Sequence, residues 1–142
     1  MTPNVRDVLT GVAVALARPL SPDVGPDYAA GRFGMVSTLT MLAAQEAEKA
    51  AGAAIAENAD IRAAFADASA YDAALGGRLA KAAAETDSDL STPALDAANA
   101  ALRRLLIELH EAVEAADDAA TDRQITALYV RMAAGRRLDM GR

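Results

Sequence analysis

His110 is the only histidine in 142 residues, and it stands in the run Glu108-Leu109-His110-Glu111-Ala112-Val113-Glu114. On a helix, His110 and Glu114 are four apart and share a face, so together they offer an imidazole nitrogen and a carboxylate to one ion. Glu46 and Glu48, on an earlier helix, would be the nearest source of further oxygens. A di-iron bundle demands more: a Glu-x-x-His pair on each of two helices and a Glu from each of two others. The residue three before His110 is Ile107, and there is no second histidine to repair the motif. His110 and Glu114 also lie off the apolar stripe of their helix. The expectation is a solvated charged face, with no metal and no cofactor.

Covalent catalysis is no better supported. Ser37, Thr38 and Thr40 fall in a helical pattern, and no G-x-S-x-G turn exists to expose a serine. The stretch Gly31-Arg32-Phe33-Gly34 lacks both the glycine pattern and the preceding strand of a phosphate-binding loop. No catalytic residue is assigned.

Two further charged side chains fall on or beside an apolar stripe: Arg32 and Glu46. They are fourteen positions apart, nearly four helical turns, so they share a face but stand about 21 Å apart on a straight helix. They cannot pair with each other. Buried charges are usually paired, so each wants a partner from another helix or another subunit. Gly31 and Gly34 flank Arg32, and each weakens a helix by roughly 1 kcal/mol against alanine. That cost suggests the close approach of a neighbouring backbone or of a ligand. Packing against the first helix is the simpler account. The alternative is a ligand-binding or catalytic bundle, with Arg32 holding an anionic group and Glu46 or Tyr28 handling a proton beside it.

The elements that would position these groups are helices. Apolar residues make up 53% of the chain, but 38 of them are alanines, and only five large aromatics are present. Alanine is the best helix former and buries little side chain. The core must therefore be leucine, valine, isoleucine and methionine, with alanine faces allowing close helix contact. Thr2-Pro3 opens a first helix with Val5, Val8, Leu9, Val12 and Leu16 in one stripe, ended by Pro19. Asp27 caps a long central helix of about 27–57, with Met35 or Val36, Leu39, Leu42 or Ala43, and Glu46 marking one face. Glu57-Asn58-Ala59-Asp60 predicts a break. Ile61, Phe65, Ala68, Leu75 and Leu79 follow as one stripe, with Gly76-Gly77 as a kink or division. After a polar loop near Thr86–Thr92, the spacing of Leu95, Leu102, Leu105, Leu106, Leu109 and Val113 predicts the cleanest amphipathic helix. Asp117-Asp118 ends or bends it, Thr121-x-x-Gln124 predicts a capping box for a last helix, and Gly135 is its terminal glycine.

Composition excludes several classes. Cysteine is absent, which removes disulfides, thiolate catalysis and cysteine–zinc sites. A net charge of −6 argues against general nucleic-acid binding. No run approaches the ~18 apolar residues of a membrane-spanning helix. Val8–Leu16 is an apolar run before a small-x-small triplet, as in a secretory signal. Asp7, Thr10 and Gly11 interrupt that pattern, and a cytoplasmic location is expected. Between Arg123 and Arg142 five arginines face one aspartate, Asp139. That charge suits the C-terminus of a solvated helix, where the helix dipole favours cations.

The N-terminal half carries a resemblance. Arg6-Asp7-Val8-Leu9 on a first helix, a proline-broken loop, then Arg32 and Gln45-Glu46 on a second helix resemble a small all-helical bacterial domain of unassigned function. That domain is found beside aminoglycoside-phosphotransferase-like proteins and acyl-CoA dehydrogenases. Where it would carry an asparagine in mid-helix, this chain has Thr38 or Thr40. The resemblance implies an accessory role beside a partner enzyme.

Together these readings predict an all-α single-domain bundle of four to six mostly antiparallel helices over 1–135, with a loosely held basic tail at 136–142. The function expected is that of a non-catalytic accessory or protein-interaction protein, self-associating as a homodimer.

Overall fold

Alanine-rich segments with an apolar residue at every third or fourth position fold as helices throughout the described chain. This computed structural model describes residues 5, 7–9, 11–12, 26–68 and 73–139. Residues 5, 7–9 and 11–12 are helical, and four further helices follow: α1 (Pro26–Asp67), α2 (Ala73–Ala84), α3 (Thr92–Ala115) and α4 (Ala119–Gly135). The protein is an all-α bundle, with no strand among the described residues. Its contacts group it into two compact units, Met1–Lys49 with Leu138–Arg142, and Ala50–Arg137.

Several expected boundaries move, each for a local reason. Pro26 is the first residue of α1, where its missing N–H has no helical partner to lose. Asp27 therefore lies within the first turn and is not the cap. The break expected at residues 57–60 does not occur, because α1 runs through it to Asp67. Glu57 and Asn58 look like loop residues only when their partners are unknown; both are buried and bonded across the bundle. Gly76 and Gly77 do not divide α2, which runs through them. At Gly31, a Cβ would meet nothing within 4 Å among the described residues. Thr2, Pro3 and Pro19, read as the ends of the first helix, and Gly34 lie outside what is described there.

The unit Ala50–Arg137 holds the main core. Ile61 and Phe65 of α1, Leu79 of α2, Leu106, Leu109 and Val113 of α3, and Ile125 and Leu128 of α4 are at most 2% exposed. All of them sit at the helical spacing read from the sequence. Helix α3 contacts both α2 and α4.

The α3–α4 corner is built from three residues. Asp117 has φ +53°, a left-handed conformation that aspartate tolerates better than most side chains. Its N–H bonds the Glu114 carbonyl at 3.1 Å, and the Asp118 N–H bonds that of Val113 at 3.2 Å. Those two bonds close α3 as a Schellman motif, with aspartate in the place glycine usually takes. Asp118 then caps α4: its Oδ1 accepts from the amides of Ala120 and Thr121, and its Oδ2 from the Thr121 hydroxyl. Thr121 is thus a recipient of the cap and not the capping residue expected. Gly135 is the last helical residue and does not adopt positive φ, so it is not the left-handed terminal glycine expected.

In the described part of the unit Met1–Lys49 with Leu138–Arg142, Val12 and Ala43 are the buried apolar residues. Gln45 exchanges two 2.8 Å hydrogen bonds with the backbone of Asp139, donating to its carbonyl and accepting from its N–H.

Two outcomes test this packing by urea denaturation. Phe65→Ala should destabilise by about 3–5 kcal/mol through the cavity it leaves, while Ile107→Ala, at a 53% exposed position, should stay within about 0.5 kcal/mol. Asp117→Gly should stabilise by up to about 1 kcal/mol, because glycine meets no Cβ penalty at that φ.

Candidate functional site

The densest polar constellation is buried in the bundle, around Glu57. On α1, Glu57 and Asn58 occupy the phase of the apolar stripe that runs from Ala54 to Ile61 and Phe65. On α3, Asn99 lies between Leu95 and Leu102 in the same way. These three side chains are 5%, 0% and 5% exposed. Arg103 Nε donates to Glu57 Oε1 at 2.6 Å, and Arg136 Nε donates to Glu57 Oε2 at 2.7 Å. Asn99 Nδ2 donates to Glu57 Oε1 at 2.8 Å and to Asn58 Oδ1 at 2.9 Å, while its own carbonyl accepts from Arg136 at 3.1 Å.

Asn58 passes the network on to the α2–α3 connection. Its Nδ2 donates to Asp87 Oδ2 at 3.1 Å. Arg62, one turn further along α1, grips the same carboxylate with both terminal nitrogens, at 3.1 and 2.6 Å. Among the described residues, Arg62 Nε is buried without a hydrogen-bond partner.

The electrostatics follow from this geometry. Burial pushes the Glu57 carboxyl up, but hydrogen bonds from Arg103, Arg136 and Asn99 outweigh it and hold the group below its ordinary 4.5. The Arg62 guanidinium, helped by Asn58 against a smaller effect of burial, holds Asp87 below its ordinary 3.8. Asp87 in turn raises the pKa of Arg62. Every acceptor on both carboxylates faces a fixed donor. Such a network favours the ionised form of both carboxylates.

A second constellation lies where α3 meets α4. His110 Nε2 donates to Asp122 Oδ1 at 2.9 Å, and Glu114 Oε1 stands 3.9 Å from the same nitrogen. The Tyr129 hydroxyl lies 3.4 Å from His110 Nδ1, with the two rings 5.5 Å apart at 56°. Burial raises the Tyr129 pKa, and the charge of Glu114 adds to that. Beyond this corner, an open groove of about 340 Å³ runs between α1 and α4, floored by Ala64, Ala68 and Leu128 and edged by Asp60, Asp67 and Arg131.

Arg32, Glu46 and Tyr28, singled out from the sequence, belong to the unit Met1–Lys49 with Leu138–Arg142. Arg32 and Glu46 are both half-buried on α1, and the continuous helix keeps them apart as expected. Tyr28 lies in the first turn of α1, and its side chain is outside the described residues. Sequence reading missed Glu57, Asn58 and Asn99, although a signal existed: each interrupts an apolar stripe at the spacing where a core residue belongs. Arg136, assigned to the tail, is held by Glu57 and Asn99.

Compared with protein-family models, with curated proteins and with solved structures, the chain finds no match in any of the three.

Glu57 and Asp87 both have folded pKa values depressed below their unfolded ones. Their contribution is fully present above those unfolded values, about 4.5 and 3.8, and is lost as pH falls through the lower folded values. Glu57→Gln should therefore be less stable than the native chain at pH 7. The difference should narrow as pH drops below about 4, in chemical denaturation followed across pH. Glu57→Ala should lose about 3 kcal/mol at neutral pH, since it strands Asn99 and two arginines.

Proposed function

We propose that this chain is a non-catalytic helical interaction protein that self-associates, acting as an accessory to a partner enzyme. The observation that carries the reading is the surface of α1 between residues 31 and 49. Met35 is 61% exposed, and Val36, Leu39 and Leu42 beside it on one face are only half-buried; Met41, about 120° further round the helix, is 61% exposed as well. Ala43 is the one buried side chain among those described in that stretch. Leu9, on the first helical segment, is 49% exposed as well. An apolar helix face with so little cover is the usual mark of an interaction surface. Methionine is suited to it, because its unbranched, polarisable side chain adapts to an irregular partner.

The tightly satisfied carboxylates of Glu57 and Asp87 support the non-catalytic part of the reading. The accessory role rests on the resemblance carried by Arg6-Asp7-Val8-Leu9, Arg32 and Gln45-Glu46. A second copy is the simplest partner, since two alanine-flanked stripes can approach closely. Such a dimer would bury more than roughly 1,000 Å² of mostly apolar surface.

Light scattering coupled to size-exclusion chromatography tests this at micromolar concentration. The native chain should elute with twice the mass of one chain, and the double variant Met35→Glu/Met41→Glu should be monomeric with its helicity retained. A monodisperse native monomer would overturn the proposal.

A further inference from the structure

We propose that His110, Glu114 and Asp122 form a binding site for a divalent first-row transition ion of the Zn²⁺ or Co²⁺ kind. This inference is independent of the self-association reading. The three groups come from two helices and converge because the Asp117–Asp118 corner turns α4 back along α3 within three residues. His110 and Glu114 share a face of α3 at i,i+4, and Asp122 sits in the first turn of α4. Their ligand atoms all lie within 4.8 Å of one another.

That spacing suits a small ion. Nitrogen and carboxylate ligands bind Zn²⁺ at about 2.0–2.2 Å, which places neighbouring tetrahedral ligands about 3.3 Å apart. His110 Nε2 is 2.9 Å from Asp122 and 3.9 Å from Glu114, on either side of that value. Glu114 is 67% exposed and turns freely to adjust, and the open side leaves room for water to complete the shell. The imidazole selects the ion: Ca²⁺ and Mg²⁺ take oxygen ligands, whereas one nitrogen with two carboxylates suits a borderline ion.

Tyr129 sets this cluster apart from a chance group of surface acids. A ligating histidine needs its other nitrogen held, and the Tyr129 hydroxyl stands at Nδ1. Without metal, Nε2 carries the proton toward Asp122 and Nδ1 accepts from the hydroxyl. With metal on Nε2, the ring takes the other tautomer, and Nδ1–H donates to the same hydroxyl oxygen. A hydroxyl both donates and accepts, so one side chain holds the ring in both states. Tyr129 is a positioning residue, not a ligand.

The test uses the full chain without a histidine tag. Titration with Zn²⁺ by calorimetry and with Co²⁺ by visible absorption should show one equivalent bound, with a raised melting temperature. His110→Gln should abolish the Co²⁺ absorption band. Asp122→Asn and Tyr129→Phe should each weaken binding by about tenfold or more, with helical circular dichroism unchanged. Glu111→Gln, an exposed neighbour, should bind as the native chain does. Should His110→Gln fail to fold, Asp122→Asn carries the test, because the amide keeps the side chain's size. Absence of stoichiometric binding, affinity left unchanged by His110→Gln or Asp122→Asn, or equal competition by Ca²⁺ would overturn the site.

Discussion

A carboxylate buried among helices is costly unless donors surround it, and Glu57 is the carboxylate on which this bundle's arrangement turns. Moving such a group out of water carries a penalty of several kcal/mol, offset only by well-placed partners. Its two oxygens are satisfied by Arg103 and Asn99 on α3 and by Arg136 just beyond α4. Through Asn58 the same network reaches Asp87 in the α2–α3 connection, where Arg62 closes it. Alanine faces slide past one another with little change in burial, so they define the register of neighbouring helices poorly. A carboxylate that must meet two guanidinium nitrogens and an amide defines it well. The arginines remain partly exposed, which keeps their own desolvation small.

The second constraint is the corner at residues 116–118. Asp117 accepts a left-handed backbone, and Asp118 both closes α3 and caps α4. So short a reversal makes the two helices antiparallel neighbours and aligns one turn of α3 with the first turn of α4. That alignment, not any local motif, brings His110 and Asp122 within hydrogen-bonding distance. The core beneath it is ordinary leucine packing, and the polar cluster occupies the rim.

The two compact units differ in how they hide apolar surface. The unit Ala50–Arg137 buries isoleucine, phenylalanine and leucine from all four helices. In the other, the described methionines of α1 stay in solvent and the aliphatic residues beside them are only half covered. Hydrophobic burial is the main favourable term in folding and in association alike, so surface left over from the first is available to the second.

Helical class, the stripes of α3 and α4, and the absence of thiol chemistry were all legible from residue type and spacing. Local propensity and a period of 3.6 are properties of a segment by itself. Ile61, Phe65 and Leu79 were readable as core, and Val36, Leu39 and Ala43 as one apolar face, of which only Ala43 is buried. Glu57, Asn58 and Asn99 were not. A polar residue in an apolar stripe signals either a break or a buried bond, and only its partners forty residues away decide between them. The same holds for His110: the sequence placed Glu114 beside it, but Asp122 and Tyr129 reach it only because the chain turns at Asp117. Sequence determined which faces are apolar and which residue types are available for chemistry. The tertiary structure decided which charges meet, because such pairings depend on donors from separate helices arriving at one point.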